Sequence, residues 1–133
     1  MNVRVATPPD YQPVTGIVEQ TEKIAGGKTE VILTDEPVAA AQGSQVIYTD
    51  VWASMGQEDS AETRIPIFQP YQVNEQLLSN ADPEAIVLHC LPAHRGEEIT
   101  DEVIEGARSR VWDQAENRMH AQKALLVSLL GIQ

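Results

Sequence analysis

Short apolar segments alternate with helix-forming segments along almost the whole of this 133-residue sequence. Strands that alternate with helices are typical of an α/β domain built on a parallel sheet, so this pattern limits the fold more than any other feature. We predict strands at positions 3–6, 30–34, 45–49, 85–89 and 109–112. We predict helices at 14–25, 36–42, 71–80, 100–104 and 115–130, and a long polar loop over 50–66.

Composition excludes several classes of function. The net charge of -11 argues against binding to nucleic acid or to an anionic membrane, because both require clustered lysine and arginine. The longest apolar run, 124–130, is too short to cross a bilayer. A single cysteine cannot form an internal disulfide, so a reducing cytoplasm is the expected location.

The segment His-Cys-Leu-Pro at 89–92 follows the apolar run 85–88 and contains the only cysteine. Proline suits a sharp turn just past a strand, and ligands of parallel α/β sheets bind beyond the carboxyl ends of the strands. Cys90 is therefore either a buried structural thiol or a residue of a site. His89 is a poor base for Cys90, because adjacent strand residues point to opposite faces.

Two other interpretations of Cys90 use more distant histidines. His94 could act as the partner of a Cys-His nucleophile. A metal site could combine Cys90, His94 and His120, but these residues lack the paired spacing of metal motifs, so we expect no metal.

Two further polar clusters follow predicted elements. Asp50 comes directly after the strand at 45–49, where it could pair with a substrate ammonium or cap a solvated loop. Glu116-Asn117-Arg118 stands at the start of the last predicted helix, where an arginine favours phosphate or carboxylate. The alternative for Arg118 is a surface ion pair with Glu116 or Asp113.

A charged loop follows the turn after 89–92. Its residues Arg95, Glu97 and Glu98 are expected to be solvated, although the loop could close over a ligand.

Together these stretches resemble the ornithine carbamoyltransferase family over essentially the whole chain. The segment 89–92 is similar to its His-Cys-Leu-Pro motif, 50–56 to its Asp-x-Trp-x-Ser-Met-Gly motif, and 116–118 to the Glu-Asn-Arg of its terminal helix. The order and spacing of the three motifs agree with the family. The resemblance covers only its second, ornithine-binding domain, so residues 1–133 are expected to be that domain, N-terminally truncated.

The resemblance also implies what the chain lacks. The family's Ser-Thr-Arg-Thr phosphate loop and His-Pro-x-Gln stretch belong to the first domain and are absent from this sequence. The opening strand and helix of the second domain, with an Asn-Asn pair that contacts the substrate, are absent as well. The expected fold is a Rossmann-like parallel sheet flanked by helices that lacks this first strand and helix. Without its central strand the sheet is expected to split or to pair differently.

Site residues follow from the resemblance position by position. Asp50, Ser54 and Met55 would contact ornithine, with Asp50 at the α-amino end. Cys90 would lie beside the reacting centre, and the Leu91–Pro92 bond would be cis.

Carbamoyl phosphate would contact Cys90, Leu91 and Arg118, and Arg118 would stabilise developing negative charge. No cofactor is expected.

The implied function is the substrate-binding half of an ornithine carbamoyltransferase. That enzyme converts carbamoyl phosphate and ornithine to citrulline and phosphate, a step of arginine biosynthesis, and this chain alone is expected to be inactive. The alternatives are a non-catalytic binding or assembly module and a transferase for a related amine such as putrescine. The helix at 115–130 is apolar on more than one face, so we expect a homo-oligomer that pairs strands or buries this helix.

Overall fold

The computed structural model describes residues 1–53 and 61–131, and within them it is an α/β structure with parallel strands flanked by helices. The strands are β1 (Val3–Ala6), β2 (Val31–Thr34), β3 (Val46–Thr49) and β4 (Ile86–His89). The helices are α1 (Thr15–Ala25), α2 (Pro37–Ala41), α3 (Ala61–Phe68), α4 (Glu75–Leu78), α5 (Asp101–Ile104) and α6 (Val111–Leu130). The predicted fold class is confirmed. None of these helices combines the length and apolar character needed to cross a membrane.

The described strands form two separate parallel pairs. β1 pairs with β2, with Val3 opposite Val31, and β3 pairs with β4, with Thr49 opposite His89. The split sheet that the sequence led us to expect is therefore observed.

Local signals account for several element boundaries. α1 ends at Gly26, whose φ of 56° lies in the left-handed region that glycine adopts without a steric penalty. α2 begins with Pro37, which fits the first turn because its missing N–H would have no helical partner there. α5 begins after Thr100 as predicted, but the Thr100 side chain makes no capping hydrogen bond within the described residues.

Two predictions along the middle of the chain were wrong. The segment predicted as a loop over 50–66 contains the start of α3 at Ala61. The helix predicted at 71–80 is reduced to α4, because the Val73 N–H donates to the Glu98 carbonyl in a bridge to a distant segment. Asn74 then caps α4 by accepting a hydrogen bond from the Leu77 N–H.

The predicted fifth strand at 109–112 was also wrong. Ser109 makes only an isolated parallel bridge to Val87, and Val111 already begins α6. The Arg110 N–H donates to the Val87 carbonyl, and the Arg110 carbonyl accepts from the Gln114 N–H one turn later. The chain therefore passes from strand pairing to helix at this point, and α6 begins four residues earlier than predicted.

The apolar core is concentrated around β4. Its buried members come from β4, α4, α5, the start of α6 and the connecting loops: Val73, Leu78, Ala81, Ala85, Val87, Ile99, Val103, Ile104 and Val111. In contrast, α1 buries none of its residues, and Val111 is the buried residue of α6. Apart from the half-buried Gln114, the rest of α6 is exposed, including Leu125, Leu126, Leu129 and Leu130. The buried apolar contacts are therefore concentrated around β4, α4, α5 and the start of α6.

Candidate functional site

The carboxyl ends of β3 and β4 lie side by side and place Asp50 next to Cys90. Because Thr49 is opposite His89 in the parallel register, the residues that follow them leave the sheet together. The Cys90 thiol donates a hydrogen bond to Asp50 Oδ1 over 3.0 Å. Asp50 also accepts a hydrogen bond from the Val51 N–H at 2.7 Å, so its carboxylate is oriented by its own backbone.

The surroundings of Cys90 favour the neutral thiol. Burial raises its pKa, and the neighbouring Asp50 raises it further by accepting the thiol hydrogen bond and by its negative charge. Tyr48 acts in the opposite direction as a hydrogen-bond donor, with a smaller effect. Cys90 is thus a proton-bearing group held against a carboxylate.

We expect Asp50→Asn to speed the alkylation of Cys90 by iodoacetamide at any fixed pH below the thiol pKa. The substitution removes the negative charge that raises the pKa of Cys90, so more thiolate is present at that pH. The midpoint of the pH–rate profile should move to lower pH. Asp10→Asn is the matched control, because it removes an exposed aspartate elsewhere in the chain, and it should leave the profile unchanged. An unchanged profile in Asp50→Asn would show that Asp50 does not control this thiol.

The raised pKa of Cys90 also makes the stability of the fold depend on pH. A thiol whose pKa is raised in the folded state is stabilised there in its protonated form. The stabilisation is complete below the unfolded pKa and is lost as the pH rises through the folded pKa.

His89 points away from Cys90 and is fully buried. Its Nδ1 accepts a hydrogen bond from the Leu91 N–H at 2.8 Å, which leaves Nε2 to carry the proton and donate to Glu98 Oε1 at 3.1 Å. His89 therefore supports the turn and does not act as a base for Cys90.

Glu98 is buried, which corrects the prediction of a solvated loop at this position. Its side chain has no exposed surface, because Oε1 accepts both the His89 Nε2–H and the His94 backbone N–H, the latter at 2.7 Å. Glu98 Oε2 is also buried and has no hydrogen-bond partner among the described residues. Arg95 instead behaves as expected for a surface residue and pairs with Asp101 and Glu105.

Leu91 has an unusual backbone conformation in the turn that follows β4. The Leu91–Pro92 peptide bond is cis, as the resemblance implies, and Leu91 has a φ of 57°. Its N–H is held by His89, so the buried His89–Glu98 pair supports the segment directly after Cys90.

Gln114, which the sequence analysis did not single out, connects three parts of the site. Its Oε1 accepts the His89 backbone N–H at 3.1 Å, and its Nε2 donates to the Tyr48 hydroxyl at 3.1 Å. It thereby ties α6 to the ends of β3 and β4. The only available signal was its place just ahead of Glu116-Asn117-Arg118.

Arg118 is exposed and lies about two turns into α6, so it does not stand at the helix N-terminus as predicted. The expected surface ion pairs are not seen for Arg118 in the described ranges. Glu116 instead pairs with His120, and Asp113 pairs with Arg110. Its guanidinium remains available for a ligand, although the structure does not bring it into contact with Asp50 or Cys90.

Ser54 and Met55 lie outside the described residues. Just before them, Trp52 is buried and its carbonyl accepts a hydrogen bond from Arg64 at 3.0 Å. The Trp52 ring lies 6.1 Å from the ring of Phe68 in α3. This end of the loop is therefore anchored to α3.

Of the metal ligands considered from the sequence, Cys90, His94 and His120 do not come together in the described parts of the chain. The group of possible ligands found there consists of His94, Glu97 and Glu98.

This chain is similar in sequence to known carbamoyltransferases. Residues 1–129 match the family model described as the aspartate/ornithine carbamoyltransferase, Asp/Orn binding domain. The chain is 72% identical to the ornithine carbamoyltransferase of Synechocystis sp. over 134 aligned positions, which cover 99% of this chain and 43% of that protein.

Solved structures give the same result. The ornithine carbamoyltransferase of Pyrococcus furiosus superposes with a TM-score of 0.86 at 52% identity, over 95% of this chain and 41% of that one. The anabolic ornithine carbamoyltransferase of Campylobacter jejuni superposes with a TM-score of 0.89 at 34% identity, over 99% and 44%. The chain spans less than half the length of these relatives. It belongs to the aspartate/ornithine carbamoyltransferase family and corresponds to the domain that binds aspartate or ornithine.

Proposed function

We propose that residues 1–133 are the ornithine-binding domain of an ornithine carbamoyltransferase, which forms citrulline and phosphate from ornithine and carbamoyl phosphate. The observation that carries this proposal is the Cys90–Asp50 hydrogen bond at the joined ends of β3 and β4. A proton-bearing thiol beside a carboxylate at this sheet edge supports a site that binds and orients a substrate amine. The 72% identity to the Synechocystis enzyme supports ornithine as the amine.

The proposed roles follow from charge and position. Asp50, exposed at the strand end, binds the α-ammonium of ornithine, and Ser54 and Met55 shape the pocket around the side chain. Cys90 and Leu91 lie beside the reacting carbon. Arg118 carries the positive charge for the carbamoyl-phosphate end.

The proposed reaction needs an oriented amine and positive charge near the carbamoyl group. The neutral side-chain amine of ornithine attacks the carbamoyl carbon and forms a tetrahedral intermediate. The bond to phosphate then breaks, and the proton lost by the amine leaves with the phosphate. Negative charge builds on the carbamoyl oxygen and on the departing phosphate, so preorganised positive charge lowers the barrier. Arg118 supplies part of that charge, and the rest must come from outside this chain.

The gap between the two strand pairs supports the proposal that an additional strand binds there. The Val3 N–H and the Thr7 N–H donate to β2 and its flanking residue, so the backbones of Arg4 and Ala6 face away from that pair, toward the gap. By the same alternation, the Ile86 N–H donates to the Gln45 carbonyl, so Val46 and Tyr48 face away from β4.

These four outward-facing residues line one cavity of about 130 Å³ between the sheets. The remaining lining residues come from α2, β3, α4 and their flanking loops: Pro37, Ala40, Ala41, Ser44, Ile47, Val73 and Leu77. In the described ranges these edges of β1 and β3 pair with no other strand, and such edges fit one additional parallel strand. We propose that such a strand, with the carbamoyl-phosphate domain, completes the enzyme.

The exposed apolar side chains of α6 favour association with other copies of the protein. We therefore propose a homo-oligomer. The single cysteine favours a cytoplasmic location.

The test combines this chain with the N-terminal part of the Synechocystis enzyme that it does not cover. We expect no measurable citrulline from this chain alone, because most of the positive charge at the site is absent. Mixing the two parts should produce citrulline, and sedimentation of the same samples should show association. Citrulline formed by this chain alone would contradict the requirement for a second domain.

The alternatives give different results in the same assay. A non-catalytic module gives association without citrulline. A transferase for a related amine gives a carbamoylated product from putrescine at a higher kcat/KM than from ornithine.

A further inference from the structure

A compact group of possible metal ligands lies directly after the cis-proline turn. The ligand atoms of His94, Glu97 and Glu98 all lie within 4.8 Å of one another. His94 Nδ1 is 3.6 Å from Glu97 Oε2, and these two side chains are 52% and 37% exposed. The partly exposed pair thus stands beside the buried carboxylate of Glu98.

The second observation is the unpaired oxygen of that buried carboxylate. The Glu98 side chain has no exposed surface, and within residues 1–53 and 61–131 its Oε2 has no hydrogen-bond partner, whereas Oε1 accepts two hydrogen bonds. A buried carboxylate oxygen without a partner is unfavourable, and buried charges are normally paired or coordinate a metal. Glu98 also contributes one carboxylate oxygen to the group of possible ligands, so a cation bound by that group would contact this carboxylate.

The backbone of the turn is already fixed. The Glu97 N–H donates to the His94 carbonyl, and the Gly96 N–H donates to the Ile99 carbonyl at 2.9 Å. The Gln72 side chain donates to the carbonyls of both Gly96 and Glu97 at 2.8 Å. These hydrogen bonds therefore hold the backbone that carries the three possible ligands.

We propose that His94, Glu97 and Glu98 bind one zinc ion, at a site separate from the Cys90–Asp50 pair. One imidazole nitrogen and two carboxylates suit Zn²⁺, with water as the fourth ligand, whereas Mg²⁺ and Ca²⁺ prefer oxygen ligands. Ligand atoms around tetrahedral zinc are about 3.4 Å apart, given bond lengths near 2.1 Å. The 3.6 Å between His94 and Glu97 is close to that spacing.

Zinc at the proposed site would also affect the turn after Cys90. Glu98 holds His89, and His89 holds the Leu91 N–H. Zinc on Glu98 therefore stabilises the support of the turn that follows Cys90.

The proposal is tested by titrating the full chain with zinc chloride, and in parallel with magnesium chloride, in a calorimeter. We expect one zinc per chain and no binding of magnesium. His94→Ala and Glu97→Gln should each weaken zinc binding by about tenfold or more, since even outer-shell changes cost 10- to 100-fold. Both positions are partly exposed, so both variants should fold, which circular dichroism checks.

Two control variants separate this site from others. His120→Ala removes an exposed histidine that also faces a glutamate, Glu116, at 3.4 Å, but in the part of the chain that the structure describes the buried carboxylate belongs to Glu98, which lies beside His94. Cys90→Ser removes the thiol, which is an alternative zinc ligand. Neither should change the affinity of the proposed site. The proposal fails if zinc does not bind, if binding survives in His94→Ala and Glu97→Gln, or if it is lost only in Cys90→Ser.

Discussion

Glu98→Ala is expected to lower the free energy of unfolding by about 2–4 kcal/mol, because it leaves two donors without partners at about 1–3 kcal/mol each. These donors are the His89 Nε2–H, which is buried, and the His94 backbone N–H. The loss is partly offset because the substitution also removes the unpaired Oε2. Denaturant unfolding measures the change.

Glu97→Ala is the matched control for this prediction. It removes the neighbouring glutamate, whose side chain is 37% exposed and faces the exposed ring of His94. Its effect should lie within about 0.5 kcal/mol, the usual range for surface substitutions. An equal fall in the free energy of unfolding of both variants would contradict the stabilising role assigned to the hydrogen bonds of buried Glu98.

Arg118→Met should reduce kcat of the reconstituted carbamoyltransferase by about 10²–10³-fold, the range seen when one donor to a developing oxyanion is removed. Methionine keeps much of the length of the side chain and removes the charge. Arg118 makes no ion pair within the described ranges. The fall in kcat would therefore reflect a lost interaction between Arg118 and the substrate, and not the loss of a surface ion pair. Steady-state kinetics with both substrates measures it.

Lys123→Met controls for the general effect of removing a cation from the exposed surface of α6. It should leave kcat within about twofold, because long-range effects of exposed charges are screened by salt. A similar fall in kcat for both variants would count against a specific role for Arg118.

Local sequence signals were sufficient for four of the five predicted strands, for the helices α1, α2 and α5, and for one pair of site residues. β3 and β4 are short apolar segments, and the polar residues that directly follow them are Asp50 and Cys90. Parallel neighbours end at the same edge of a sheet, so these two residues could be expected to meet. The Leu91–Pro92 geometry came from the family resemblance and not from local chemistry.

Long-range pairing decided what the sequence analysis got wrong. The predicted helix at 71–80 is shortened because Val73 pairs with the chain around Ile99. The predicted strand at 109–112 gives way to α6 after a single bridge from Ser109 to Val87. Both outcomes depend on which distant backbone groups are within reach, and residue patterns within one segment do not contain that information.

The sequence by itself determined that this is an α/β chain with a thiol and a carboxylate at one sheet edge, because strand periodicity and motif spacing are local properties. Only the tertiary structure showed that Glu98 is buried beneath that edge and holds His89, with one oxygen unpaired. A glutamate in a charged segment is predicted to be solvated, since burial of a carboxylate is costly without partners. The partners here are His89, nine residues away, and the His94 N–H, which becomes available only through the turn geometry.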